Sequence, residues 1–330
     1  MLTSVGQRVD IARAFRAAGA VTLGVDADPL APALYHCDLR VIVPRIADTG
    51  YVPTLAGLRE QHDVQLVVPL NDLDFPVLAR ERAALAPALV LLPDEEASAR
   101  MSDKLEAHHF FVANGIASPR SWAPDEVPGD ARYPVLVKAR EGFGSRNIHR
   151  AADADELAFF LRYTNVPSFV QEVCQGEEFS IDVFSDMDGR CLNAIPRTMI
   201  LSKGGESIKG MTIADEELIA LGRDVAEALV VVGPATIQCF RATPGDCKVT
   251  DVNLRFGGAF PLPLAAGGEY PALALALARG ERLEPRVGEF KEGVVMTRFF
   301  SDLCLVENGE GELVPFAEEL SHPIAAEPGR

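Results

Sequence analysis

Thr236-Ile237-Gln238-Cys239-Phe240, then Thr243-Pro244-Gly245-Asp246, then Val249-Thr250-Asp251-Val252-Asn253 is the stretch on which the reading turns. Two runs rich in β-branched and apolar residues flank a Pro-Gly pair, which suits the centre of a type II turn, so an antiparallel hairpin is predicted. If the loop is Pro244-Gly245 alone, pairing counted outward from it sets Gln238 opposite Asp251. Asn253, two positions on, shares that face because side chains alternate along a strand. One surface then offers a carboxylate and two amide oxygens. These are hard ligands suited to Mg²⁺, which takes one or two protein carboxylates and completes its shell with substrate phosphates. Arg255 falls on the same face if the strand continues, and could hold a phosphate oxygen. A D-x-N-x-R pattern also describes a solvated strand face, and with the Gly257-Gly258 sequel the two readings stand about level.

Upstream, Val135-Leu136-Val137-Lys138 reads as a strand followed by Ala139-Arg140-Glu141-Gly142-Phe143-Gly144-Ser145-Arg146. A lysine at a strand end and a Gly-x-Gly-Ser loop present an ammonium and open backbone N–H groups, as a polyphosphate requires. An ordinary hairpin turn is the competing reading, and the order of lysine and glycines is not that of a P-loop. A helix is predicted from Asp103, with Glu106 completing a capping box and Asn114-Gly115 as its stop, which puts Lys104 in the first turn. Lysine is used sparingly, and Lys209 lies in a third glycine-rich segment, Gly204 to Gly210. Val170-Gln171-Glu172-Val173-Cys174-Gln175-Gly176-Glu177-Glu178 reads as a strand, a bend and a second strand, either a hinge beside a ligand cleft or an edge hairpin with exposed acids.

The first hundred residues alternate short apolar strands (Val21 to Val25, Arg40 to Val43, Val64 to Val68) with helical stretches such as Val9 to Ala18, predicting a small parallel-sheet lobe. Gly6 and Asp26 mimic part of a dinucleotide fingerprint, but G-x-G-x-x-G is missing, so Asp26 reads better as a polar strand end. Farther on, Leu218, Leu221, Val225 and Leu229 mark an amphipathic helix closed by Gly233-Pro234. Pro271 to Arg279 is predicted to be a buried helix, since Ala and Leu propensity outweighs its period of two. The last thirty residues are acidic and predicted to be a solvated tail.

The chain has 330 residues, enough for two compact units, and a net charge of −17 that would repel phosphate backbones and anionic lipid. Neither nucleic acid nor membrane is an expected partner. Six cysteines without C-x-x-C spacing and no basic-then-apolar leader point to a reduced, cytoplasmic protein. The histidines show no zinc spacing, and no G-x-S-x-G elbow is present.

Taken in order, these features resemble the ATP-grasp superfamily, specifically single-unit proteins similar to one half of the carbamoyl phosphate synthase large subunit. The resemblance runs from the N-terminal lobe through Asp103-Lys104, Pro134 to Lys138 with its loop, Gln171-Glu172 with Gly176 and Glu178, to Asp251-Val252-Asn253-Leu254-Arg255-Phe256-Gly257-Gly258. It implies an α/β protein with an ATP-grasp fold and an N-terminal Rossmann-like pre-ATP-grasp domain: 1–100 for that domain, 101–175 for the small lobe with its flap, 176–330 for the large lobe. It further implies ATP and Mg²⁺ (or Mn²⁺) as cofactors. Lys104 and Lys138 would meet phosphates, the 142–146 loop (Gly142, Gly144, Ser145) would close over them, Glu172 and the Val173 backbone would meet adenine, and Glu178 the ribose. Gln238, Asp251 and Asn253 would hold the metal, Arg255 would sit at the transferred phosphate, and Arg197 and Lys209 would lie near the acceptor. Members often carry Glu at position 251 and Pro at 254, so the shorter Asp bears on how many metals are bridged.

The expected activity is that of an ATP-dependent carboxylate ligase: an acyl phosphate forms and is captured by an amine, ammonia or another nucleophile. The partners would be small molecules, with a homodimer the family's habit. Carbamoyl phosphate formation and a nucleotide-binding regulatory module without turnover are the alternatives.

Overall fold

The computed structural model describes residues 1–142, 147–203 and 206–316, without the side chains of Lys203 and Glu206. Gly144 and Ser145 of the expected flap, Gly204-Gly205 and the end of the acidic tail lie outside the described residues.

The N-terminal unit is a five-stranded parallel sheet, ordered Leu39–Ile42, Leu23–Asp26, Leu2–Thr3, Leu66–Pro69, Leu89–Val90. Its central strands are buried, whereas Leu39–Ile42, which the sequence presents as one more apolar strand, is an exposed edge with a neighbour on one side only. Strand order reverses beside Leu2–Thr3, and ligand crevices of parallel sheets form at such a reversal. The loops leaving the two strands there, Gly6 to Arg8 and Leu70 to Asp72, both lead toward the main cleft. Asp26 accepts the Gly6 N–H at 2.8 Å and the Asp28 N–H at 2.9 Å, so its carboxylate shapes the local turns.

The small lobe is a four-stranded antiparallel sheet, Ser121–Trp122, Ser168–Glu172, Val135–Ala139, Ile148–Ala151, covered by helix Ala154–Tyr163. Val135, Val137 and Val170 pack with Leu157 in its core. With period two, Leu136 and Lys138 therefore turn to the opposite, cleft-facing side. Helix Lys104–Ala113 starts where predicted, with Asp103 accepting the Leu105 and Glu106 N–H groups. The capping box is incomplete: the Glu106 carboxylate is bonded to Arg140 instead.

The large lobe is built on a four-stranded antiparallel sheet, Cys191–Thr198, Glu177–Ser185, Gly233–Arg241, Cys247–Asn253. Phe179, Ile181 and Val183 are buried on its back, against Leu218 and Val225 of helix Glu216–Ala228. Glu178, Ser180 and Asp182 then belong to the front. The pairing of Gln238 with Asp251 is present, but the loop is not two residues long. The strands close at Arg241 and Cys247, leaving five residues between, and the register shifts at Gln238/Cys239 so that Thr250 has no partner. The longer loop and this β-bulge compensate, and restore the register counted from a tight turn. Helix Tyr270–Ala278 is buried as its composition predicts. Within the described part of the acidic tail, Leu305–Glu307 and Leu313–Pro315 pair as a hairpin whose residues are half-buried or exposed. No helix among the described residues is long and apolar enough to cross a membrane.

Candidate active site

A cleft of about 780 Å³ runs between the small lobe, the front of the large-lobe sheet and the N-terminal loops. Cross-strand register explains its floor. Arg197 faces Ser180, Ser180 faces Gln238 and Gln238 faces Asp251, one row across the four strands. The next row reads Ile195, Asp182, Thr236, Asn253. Paired residues share a face, so Gln238, Asp251 and Asn253 line one cleft together with Arg255, Lys104 and Lys138.

Lys104 arrives from a different element. Its helix packs along Cys247–Asn253, bringing Nζ to 3.6 Å from Asp251 Oδ1, and the same ammonium donates to the Gly142 carbonyl at 2.9 Å. Lys138 donates to Gln171 Oε1 at 3.1 Å. Desolvation between the cleft walls lowers the Lys138 pKa from the usual lysine value; Asp251 opposes the shift and Lys104 adds to it. Arg255 is held in a fork by Asp72, with Nε to Oδ1 at 2.8 Å and Nη2 to Oδ2 at 2.9 Å, and Nη2 also donates to Asn253 Oδ1 at 3.2 Å. Three cations thus converge on one oxygen-rich strand face.

Among the described residues there is no group of three or more His, Cys, Asp or Glu that could hold a metal ion. Mg²⁺ needs no such cluster: one carboxylate and two amide oxygens leave room for the phosphate and water ligands that it prefers. The donor chemistry of Gln238, Asp251 and Asn253 therefore fits one Mg²⁺.

The cleft is also lined by Glu172, Val173, Cys174 and Glu178. Burial works against the Glu172 carboxylate, but hydrogen bonds from Lys248 (2.7 Å) and Arg120 (2.9 Å) prevail and its pKa lies below the ordinary value. Glu178 shows the reverse: burial raises its pKa, and the charges of Arg197 and Lys138 only partly offset that. Arg197 lies on the cleft wall, buried and paired with Asp182 at 2.7 Å. Lys209 is exposed and does not line this cleft, where Ser202 and Ser207 of the neighbouring strands stand instead.

Three residues of the site escaped the sequence reading. Asp72 partners Arg255 from 183 positions away, and Asp182 anchors Arg197. Arg8 donates to the carbonyls of Phe256 (2.8 Å) and Gly257 (3.0 Å), holding the loop behind Asn253. Only Asp182 carried a usable signal, its alternation with Glu178 and Ser180 on one strand face. The N-terminal pair has no local pattern.

Two family descriptions match parts of the chain: "PylC-like, N-terminal domain" over residues 1–90 and "ATP-grasp in the biosynthetic pathway with Ter operon" over 164–299. No curated protein matches the chain in sequence. Among solved structures, the biotin carboxylase domain of Hydrogenobacter thermophilus 2-oxoglutarate carboxylase superposes with a TM-score of 0.70 at 15% identity, covering 89% of this chain and 72% of that one. N5-carboxyaminoimidazole ribonucleotide synthetase from Thermus thermophilus gives 0.70 at 17% identity, with 87% and 79% covered. The L-amino acid ligase of Bacillus licheniformis gives 0.65 at 19%, with 86% and 74% covered. Together with the two-lobed cleft, these matches establish that the chain carries an ATP-grasp fold behind a PylC-like N-terminal domain.

Proposed function

We propose that the protein is an ATP-dependent ligase that joins a small carboxylic acid to an amine or other nucleophile. The observation that carries this reading is the convergence of Lys104, Lys138 and Arg255 on the face formed by Gln238, Asp251 and Asn253 in a single cleft. A substrate carboxylate oxygen attacks the γ-phosphorus of ATP, the bond to the β-phosphate oxygen breaks and ADP leaves. The acceptor nitrogen then attacks the acyl carbon, gives up a proton and displaces phosphate. Lys138 and Arg255 disperse the charge of the moving phosphoryl group, and Lys104 holds the phosphates from the helix side. Asp251, Gln238 and Asn253 would hold a Mg²⁺, which would supply neutralising charge for the phosphate oxygens. Glu172 and the Val173 backbone are assigned to adenine and Glu178 to the ribose hydroxyls. The substrate supplies its own nucleophile, so the chemistry needs no activated serine or cysteine.

ADP release screened over carboxylates, with and without amines, and mass spectrometry of the products test this. The expected outcome is release that depends on a particular acid, with an amide-type product when an amine is present. Asp251→Ala is expected to abolish ADP release while ATP binding only weakens. Release dependent on bicarbonate and ammonia would point to carbamoyl phosphate chemistry. Bound ATP without turnover over the whole panel would mark a nucleotide-binding module.

A further inference from the structure

Two polar atoms on one wall of the cleft are buried and have no hydrogen-bond partner among the described residues: Nη1 of Arg197 and Oγ of Ser207. Arg197 is 3% exposed and Ser207 5%, and both line the cleft. A buried, unpaired donor is costly, and native proteins keep few without a use for them.

The rest of the Arg197 guanidinium is fixed from behind. Its Nε donates to Asp182 Oδ2 at 2.7 Å, and the other oxygen of Asp182 accepts from Thr236 Oγ1 at 2.7 Å. Tyr270 donates to the Asp182 carbonyl at 2.8 Å. The base of the arginine is thus locked, while one edge is left without a mate. Ser207 is brought to the same wall by the backbone: Arg197 bridges to Thr212, and a Cβ at Gly210 would sit 2.7 Å from the Thr198 carbonyl and 3.7 Å from Ser207 Oγ. A guanidinium can only donate, so the missing partner is an acceptor. A paired N–H and O–H beside a positive charge best suit an anionic oxygen group.

That group is not the reacting one. Arg197 stands on the edge strand Cys191–Thr198, and Asp251 on the opposite edge strand Cys247–Asn253. Three strand spacings of about 4.8 Å separate their backbones by roughly 14 Å. The phosphate-facing cations Lys104 and Arg255 are associated with the Asp251 side. We propose that Arg197 and Ser207 hold a second, non-reacting carboxylate of the acid substrate, so that the acid ligated is a dicarboxylate rather than a simple monoacid. This rests on the ligase reading and specifies its substrate class. Phosphate oxygens of the nucleotide offer the same chemistry, and the experiment separates the two.

Full-length protein with Mg²⁺ and a non-hydrolysable ATP analogue is titrated calorimetrically with succinate, glutarate and adipate, and with propionate, butyrate and valerate. Wild type is compared with Ser207→Ala and Arg197→Lys. The best diacid is expected to bind at least roughly tenfold more tightly than its monoacid, and both variants to lose most of that preference with affinity for the analogue unchanged. Ser207→Ala removes an atom that has no hydrogen-bond partner among the described residues, so it carries the test if Arg197→Lys does not fold. Equal binding of mono- and diacids by wild type, or undiminished preference in the variants, would overturn the proposal. So would an equal loss of analogue affinity, which would give these atoms to the triphosphate. Variant-sensitive diacid binding without any ADP release would leave the subsite standing and remove the ligase reading alone.

Discussion

Lys138 is one side chain whose surroundings make a measurable demand. Enclosure in the cleft lowers its pKa, because an ammonium with little water around it is penalised. A triphosphate placed beside it acts in the opposite sense and restores the charged form. Nucleotide binding is therefore expected to take up protons, and affinity to fall as pH rises through the lowered pKa of the free protein. Calorimetric titration in buffers of different ionisation enthalpy measures the uptake. It should vanish in Lys138→Met, and a release of protons on binding would contradict the assignment.

At the scale of elements, the hairpin Gly233–Arg241/Cys247–Asn253 shows what local sequence conveys. Alternation and a turn signal were enough to bring Gln238 and Asp251 face to face, because the face of a strand is a parity and parity survives compensated errors. The five-residue loop and the unpaired Thr250 were illegible, since nothing in the residue types at 242–250 distinguishes a bulged strand from a regular one. The Lys104 helix start was legible from its cap, yet Glu106 is diverted to Arg140, a partner 34 positions away that no capping pattern encodes. The loop after Asn253 is held as closely as the strand. At Gly257, a Cβ would lie 2.8 Å from Asp182 Oδ1 and overlap Thr236 Oγ1 as well. Gly257→Ala is expected to displace this loop and lower ADP release by roughly tenfold or more, with nucleotide binding affected far less, as steady-state kinetics beside a binding titration would show. Unchanged turnover would mean that the loop has room that the structure does not show.

On the scale of the molecule, the two loops at the strand-order reversal reach the large lobe beside the cleft, Asp72 to Arg255 and Arg8 to the carbonyls of Phe256 and Gly257. Such contacts come from topology, from which loops leave the strand-order reversal, and single-chain patterns cannot report them. The Asp72–Arg255 pair is partly exposed, with side-chain exposures of 29% and 18%, so its worth is at most about 1 kcal/mol. If a phosphate competes with Asp72 for the same guanidinium, Asp72→Asn should tighten ATP binding by up to about fivefold, the factor corresponding to that energy. Weaker binding in a direct titration would argue that Asp72 prepares Arg255 rather than competes for it. If the proposed reaction draws Arg255 to a phosphate, each round must first break its tie to Asp72, then remake it as products depart. The N-terminal unit, which contains no lysine in its first hundred residues, would thus register every turnover as the loss and return of a single ionic tether.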